Sequence, residues 1–204
     1  MRCPGIAEIP GRYRIGAAFE SSQNQDWELG VKVVPITPDM RLIAALLGGM
    51  RAMVNRRQCV ADKKIGPQDG LQADQDAIIG ELAFAQLHNV WPDLSLTPRS
   101  GSCDVVVGRL RCDVKTTRRK DGSLLATTKG NPDVDAYVLA ILDDEQVLFP
   151  GYALASELCH ESRLTTKGYG PTYAMNQAEL RAWKADHKSK TPDSGELSRA
   201  SINH

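Results

Sequence analysis

Two acidic residues flank a predicted β-hairpin near the middle of the chain. Residues 104–108 and 110–116 are rich in strand-forming side chains, and Gly108-Arg109 is a suitable tight turn between them. If the turn has two residues, counting inward from it places Asp104 directly opposite Asp113. Two carboxylates about 5 Å apart repel each other by on the order of 3 kcal/mol at an effective dielectric constant near 20. The pattern therefore requires a compensating cation, either a nearby amine or a divalent metal ion.

The second predicted strand carries a lysine on its acidic face. Side chains alternate along a strand, so Lys115 shares one face with Asp113 and Arg111. The other face, which is expected to point toward a core, carries Leu110, Cys112 and Val114. Lys115 supplies one positive charge, and it is placed to orient a metal-bound water or to stabilise a negatively charged transition state. The alternative is a surface ion pair between Asp113 and Lys115, which contributes less than about 1 kcal/mol.

A third carboxylate, Glu81, lies in the middle of a predicted helix among apolar residues. Its neighbours one turn away are Ala77, Ile78, Phe84 and Ala85. Burying an unpaired charge is costly, so Glu81 must find a partner or its pKa must rise. If the helix packs against the hairpin, Glu81 joins Asp104 and Asp113 in an oxygen-rich site. Such a site selects Mg²⁺ or Mn²⁺, and the ion binds substrate phosphate. The alternatives are that Glu81 is exposed and that Asp104 only caps a turn.

The charges are unevenly distributed, although Lys plus Arg and Asp plus Glu both number 25 and the net charge is zero. Residues 109–129 hold seven basic and two acidic residues, whereas residues 65–98 hold five acids and no Lys or Arg. This excludes a uniformly basic protein and favours an acidic pocket beside a basic rim that holds a phosphodiester backbone. The rim residues predicted to contact nucleic acid are Thr117, Arg118, Arg119 and Lys120, and a solvated loop is the alternative.

This combination of residues resembles the active-site signature of the PD-(D/E)xK nuclease superfamily. The resemblance covers residues 78–160 and depends on the helix glutamate, on Asp104 and on Asp113-Val114-Lys115. It implies a restriction-endonuclease-like αβββαβ core, with Mg²⁺ or Mn²⁺ as cofactor. It implies that Asp104, Asp113, Glu81 and the Val114 carbonyl hold the metal ion. The catalytic residues that it implies are Glu81, Asp104, Asp113 and Lys115.

Further short motifs are similar to those of small phage-encoded members of the superfamily. In the nuclease-like part of the chain they lie at residues 80–83, 113–117, 151–153, 171–174 and 180–181. On the first predicted helix, Met50-Arg51 and Asn55 are also similar to this group. No motif assigns a function to the rest of the first seventy residues.

The predicted helices are marked by apolar periodicity and by end signals. The first covers residues 40–57 after the cap Thr37-Pro38-Asp39, and one apolar face is expected from Leu42, Ile43, Leu46, Leu47, Met50, Met53 and Val54. A polar link over 61–73 precedes the second, which is expected to begin near Asp74 or Asp76 and to run to about Asn89. A short helix is predicted over 153–159, and a last helix from the capping box at 176–179 to Trp183.

The remaining predicted strands complete a mixed sheet. They cover residues 27–34, 136–142 and 147–149, and the second of these is expected to be central and covered on both faces. These elements predict an α/β protein, more narrowly an α+β fold with a mixed sheet. An N-terminal arm and helix (1–60) are expected to pack on a nuclease-like domain (61–188), which a mobile tail (189–204) follows.

Composition limits the other function classes. The five cysteines form no Cys-x-x-Cys pair, which argues against a disulfide scaffold and a structural zinc site. The number of cysteines is odd and they are scattered, so a reducing compartment is expected, hence the cytoplasm, the host's if the protein is phage-encoded. No segment is apolar enough to span a membrane or to serve as the core of a signal peptide. The leading hypothesis is a metal-dependent nuclease that acts on DNA rather than RNA, and the superfamily allows a homodimer. A non-catalytic module that binds nucleic acid or protein, and an assembly protein without a site, are the alternatives.

Overall fold

The computed structural model describes residues 30–58, 70–96, 103–129, 131–166 and 170–183. The predicted tail over 189–204 and the N-terminal arm up to residue 29 lie outside the described residues. The helices are α1 (Pro38–Arg57), α2 (Gly70–Leu87) and α3 (Ala155–Leu158). The strands are β1 (Lys32–Pro35), β2 (Val105–Val107), β3 (Leu110–Thr117), β4 (Leu124–Thr127), β5 (Ala136–Leu142), β6 (Gln146–Leu154), β7 (Leu164–Thr165) and β8 (Thr172–Met175).

Five strands form a mixed sheet in the order β1-β6-β5-β3-β2. Strands β3 and β5 are parallel, and the other three neighbouring pairs are antiparallel. A second sheet of three strands has the order β4-β8-β7. The prediction of a mixed α+β fold is confirmed, and so is that of a central β5, whose seven residues are all buried.

The connection between the two parallel strands differs from the expected αβββαβ order. The described part of the chain between β3 and β5 contains β4, which pairs with β8 in the small sheet, and it contains no helix. The next helix, α3, comes only after β6. The small sheet covers one face of β5 together with α3, and the residues of that core include Leu124, Tyr137, Leu139, Leu158 and Met175. Its three short strands were not predicted from the sequence.

Helix α2 packs on the opposite face of the large sheet. Ile78, Phe84 and Val114 belong to the core between them. Gly80 permits the close approach of helix and sheet, because a Cβ atom there would overlap Oγ1 of Thr116 and lie 3.4 Å from Cβ of Ala140. This contact fixes the position of α2 relative to β3.

Helix α1 begins as predicted but does not bury its predicted apolar face. Oγ1 of Thr37 accepts a hydrogen bond from the backbone N–H of Met40 at 3.1 Å. The buried residues of α1 are Met40, Ala44 and Gly48, whereas Leu42, Ile43, Leu46, Met50 and Met53 are exposed. Small residues form the packed face because α2 approaches closely: a Cβ atom at Gly48 would lie 2.8 Å from Cγ of Gln75.

The ends of several other elements were predicted incorrectly. Helix α2 begins at Gly70, before the predicted start near Asp74 or Asp76. Asp76 lies inside the helix, where its side chain accepts a hydrogen bond from Gln72 at 2.8 Å instead of capping the helix. Strand β6 extends through 153–154, so α3 is shorter than predicted. Strand β1 is shifted from the predicted 27–34, of which residues 27–29 lie outside the described part.

The last predicted helix is a single 3-10 turn at Gln177–Glu179. Glu179 accepts the N–H of Asn176 at 3.2 Å, in agreement with the predicted capping box. The helix does not continue, because Arg181 returns to the large sheet and exchanges two backbone hydrogen bonds with Tyr152, at 2.8 and 3.1 Å. Within the described ranges, no helix is long and apolar enough to cross a membrane.

Substitution of Gly80 tests the close approach of α2 to the sheet. We expect Gly80→Ala to lower the free energy of unfolding by about 1–3 kcal/mol, because the methyl group collides with Thr116. Thr116→Ala in the same chain should recover most of this loss. Gly49→Ala is the matched control: nothing lies within 4 Å of a Cβ atom there, and the substitution should stabilise α1 by about 0.5–1 kcal/mol. Urea unfolding curves measure all four proteins, and equal stabilisation by both glycine substitutions would contradict the packing described.

Candidate carboxylate and lysine site

The β2–β3 hairpin has the register that the sequence predicts. Val107 pairs with Leu110 and Val105 with Cys112, across the turn at Gly108-Arg109. Asp104 immediately precedes β2, and its backbone N–H donates to the carbonyl of Cys112 at 2.9 Å. Its carboxylate Oδ2 accepts the backbone N–H of Val114 at 2.7 Å. The side chain of Asp104 therefore lies against the backbone of β3, beside Asp113.

Asp113 and Lys115 form an ion pair on the same face of β3. Nζ of Lys115 contacts Oδ1 of Asp113 and lies 6.0 Å from the centre of the Tyr137 ring on the neighbouring strand β5. Oδ1 of Asp113 is buried, and the ammonium group of Lys115 is its charged partner. The ammonium group is thus the countercharge of Asp113.

Glu81 is buried on α2, and its partner comes from α1. The residue is 6% exposed, which excludes the alternative of a solvent-exposed helix glutamate. Three contacts of 3.4 Å join the Arg51 guanidinium to the two Glu81 carboxylate oxygens. Nη2 of Arg51 also donates to the backbone carbonyl of Asp93 at 3.4 Å. Arg51 therefore links α1, α2 and the segment that leads to Asp104.

The charges of the site perturb one another. Burial raises the pKa of Asp104 to about 7, with further contributions from Glu81 and Asp113. Burial also raises the pKa of Glu81, although Arg51 opposes this. Burial alone would lower the pKa of Lys115, but Asp113, Asp104 and Glu81 outweigh it and raise the pKa. The four residues predicted from the sequence are therefore close enough to interact electrostatically.

The donor chemistry of this site fits a hard divalent cation. Three carboxylates face two cations, Lys115 and Arg51, so the fully ionised site carries a formal charge of about −1. A divalent ion would relieve the repulsion that contributes to the raised pKa of Asp104. However, the described ranges contain no group of three His, Cys, Asp or Glu side chains already arranged to hold an ion. The three acidic side chains lie near one another, and the ammonium group of Lys115 already contacts the carboxylate of Asp113.

The predicted basic rim begins at the end of β3, next to the carboxylates. Thr117 is two residues beyond Lys115, about 7 Å along the strand on the same face. Arg118 turns toward α2, where it donates to both oxygens of buried Asp76 at 2.6 and 2.7 Å. Arg119 pairs with exposed Asp121 at 3.2 Å, and Nζ of Lys120 lies 4.0 Å from Asp143. The sequence did not reveal that Arg118 serves as a contact between β3 and α2.

Arg51 is the residue of this site to which sequence reasoning gave no role. The sequence connects Arg51 to a function only through the Met50-Arg51 motif. The buried positions of α1 explain the role of Arg51, because this residue continues the buried stripe of the helix at helical spacing. The stripe consists of Met40, Ala44, Gly48 and Arg51. An arginine that continues a row of buried residues is expected to reach a buried acid on the neighbouring helix.

No protein-family model matches the chain, and no curated protein or solved structure matches it either. The function is therefore inferred from the geometry and charge of the residues described above.

Asp104→Asn tests whether the buried carboxylate costs stability. The pKa of Asp104 is raised from about 3.8 to about 7, so the folded protein binds a proton more tightly than the unfolded chain. Stability should therefore fall as the pH rises through this window. Asparagine can still accept the Val114 N–H, and we expect Asp104→Asn to raise the free energy of unfolding at pH 8 by on the order of 2 kcal/mol. The gain should disappear near pH 4. Metal-free thermal unfolding between pH 4 and 8 measures this, and a variant less stable than the parent at pH 8 would contradict it.

Arg51→Met tests the link between the helices. Without the guanidinium, the buried carboxyl group of Glu81 loses its partner and must either stay charged and unpaired or take up a proton, so we expect a loss of about 1–3 kcal/mol in the free energy of unfolding at pH 8. Glu81→Gln in the same chain removes the unpaired charge and should restore most of the loss. Arg57→Met, at an exposed position of the same helix, is the matched control. The link would be refuted if Arg51→Met and Arg57→Met unfolded at the same urea concentration.

Proposed function

We propose that this protein is a Mg²⁺- or Mn²⁺-dependent nuclease that hydrolyses phosphodiester bonds, with DNA as the expected substrate. The observation that carries the proposal is the meeting of Glu81, Asp104, Asp113 and Lys115 where α2 packs on the β2–β3 hairpin. Three carboxylates in a partly buried site are costly for the fold. They favour a function that uses their charge over a purely structural role.

The proposed metal ligands are Asp104, Asp113, Glu81 and the Val114 carbonyl. Oxygen donors of this type select hard cations, which keep several water ligands and bind phosphate. A bound ion supplies a water of lowered pKa and neutralises charge at the phosphorus. Lys115 already contacts Asp113, so its amine competes with the ion for this carboxylate. Once displaced from Asp113, the amine is available to orient the attacking water or to stabilise the transition state.

The secondary structure around the site supports a core of the restriction-endonuclease-like type. Helix α2 packs on an antiparallel hairpin, β2–β3, and the second strand of that hairpin pairs in parallel with β5. These are the elements that carry all four proposed catalytic residues. The difference lies in the connection from β3 to β5, where β4 replaces the helix of the αβββαβ order. We propose the chain as a variant of this core, similar to small phage-encoded nucleases.

The proposed nucleic-acid contacts continue from the site along the basic rim. Thr117, Arg119 and Lys120 follow Lys115 at the end of β3, and both basic residues are exposed. Their ion pairs with Asp121 and Asp143 are surface pairs that a phosphate group can replace at little cost. The pair between Arg118 and buried Asp76 is stronger, so Arg118 is expected to contribute mainly to the fold.

Asp113→Ala and Lys115→Ala test the nuclease activity. We expect the parent protein to cleave DNA in Mg²⁺ or Mn²⁺, and each variant to lose at least about 100-fold in rate, because each removes a metal ligand or the group that acts on the reacting phosphate. Thermal unfolding should show that both variants fold. Glu145→Ala removes an exposed carboxylate in the β5–β6 turn and should cleave at the parent rate.

The same proteins separate the remaining hypotheses. Cleavage by both variants at the parent rate would refute the assignment of the site. Salt-dependent DNA binding without cleavage by the parent protein would instead indicate a non-catalytic binding module. Calorimetry with Mn²⁺ adds a further distinction: no heat and no thermal shift would indicate an assembly protein without a metal site.

A further inference from the structure

Trp91 is the most exposed of the large apolar side chains in the described part of the chain, at 81%. It lies in the segment between α2 and β2, and its backbone is held in place on both sides. Asn89 adopts a left-handed conformation with a φ angle of 50°, and Val90 donates to the carbonyl of Ala85 at 3.0 Å. The N–H of Asp93 donates to the carbonyl of Asp104 at 2.8 Å. An indole on a fixed backbone is thus presented to solvent, although burial would be favourable for it.

The strand register places Trp91 on the same face of the sheet as Asp113 and Lys115. Pro92 forms an antiparallel bridge with Val105, so continuing this register places Trp91 opposite Val106. Val105 is buried in the core with α2, and side chains alternate, so Val106 points to the other face. Val106 pairs with Arg111 on β3, which shares its face with Asp113 and Lys115.

The indole is close enough to the site to contact the same substrate molecule. Trp91 precedes Asp93 by two residues, which corresponds to about 7 Å along an extended chain. Asp93 is bound to Asp104 through its N–H and to Arg51 through its carbonyl. The segment that carries Trp91 is therefore joined through Asp93 both to the start of the hairpin and to Arg51.

We propose that Trp91 stacks on an unpaired nucleobase of the substrate, which makes single-stranded DNA, or a duplex with an unpaired end, the substrate class. This inference rests on the proposed nuclease function, because the site fixes where the phosphate lies. Every base has a π-face that can stack on an indole, whereas the bases inside a duplex are already covered by their neighbours. The indole lies near the proposed metal site and its lysine, and this setting matches a phosphate backbone rather than an apolar protein surface.

The first test compares binding of single-stranded and duplex DNA in EDTA, where metal-dependent cleavage does not occur. The probes are fluorescein-labelled (dT)20 and a blunt 20-base-pair duplex, and anisotropy gives the dissociation constants. We expect Trp91→Ala to weaken binding of (dT)20 by about 5- to 100-fold, Trp91→Phe to retain most of the affinity, and binding of the duplex to change less than about twofold. Leu164→Ala, at an exposed apolar residue of the small sheet, is the matched control and should bind both probes as the parent does.

The second test reads the indole directly. Addition of poly(dT) should quench the fluorescence of the parent protein, and Trp91→Phe should lose most of this quenching while Trp27 and Trp183 remain. The stacking proposal is overturned if the parent does not bind (dT)20, if Trp91→Ala binds it equally well, or if single-stranded and duplex binding weaken by the same factor. Loss of quenching and of (dT)20 affinity in a protein that never cleaves DNA would uphold the base contact and refute the nuclease. Cleavage of DNA by the parent, with unchanged (dT)20 binding in Trp91→Ala, would support the nuclease and refute the base contact.

Discussion

A surplus of negative charge in a partly buried site is the constraint on which the rest of the structure depends. Glu81, Asp104 and Asp113 come from α2, from the start of the hairpin and from β3, and their mutual repulsion adds to the cost of burial. Two cations offset part of it: Lys115 from within the hairpin and Arg51 from α1. Each of these elements is therefore held to the others by charge as well as by apolar packing. Helix α1 contacts α2 through the guanidinium of Arg51 as well as through its buried residues.

Close packing and electrostatic cost are connected at this site. Gly80 allows α2 to lie directly on β3, and the next residue along the helix is Glu81. The same contact that completes the apolar core therefore brings a carboxylate toward the two aspartates. A fold selected for stability alone would place a neutral side chain at these positions. The presence of these acids supports the proposal that a cation and a phosphate group belong to this surface.

Local patterns in the sequence were sufficient for the hairpin and for its acidic face. The two-residue turn at Gly108-Arg109 fixes the register, and strand alternation then places Asp113 and Lys115 together, as the structure has them. The partner of Glu81 could not be predicted in this way, because Arg51 meets it only through the packing of α1 on α2. The same packing buries Ala44 and Gly48 instead of the apolar stripe that periodicity favours. The prediction of the last helix was wrong for a related reason, because the backbone of Arg181 pairs with Tyr152 of the large sheet.

A crystal of the protein soaked in Mn²⁺ tests the central claim most directly, because the anomalous signal locates the ion independently of any activity. The account predicts one or two peaks within about 2.0–2.6 Å of carboxylate oxygens of Asp104 and Asp113, with Nζ of Lys115 displaced from Asp113. It is contradicted if saturating Mn²⁺ leaves this position without a peak and the ion pair between Lys115 and Asp113 intact.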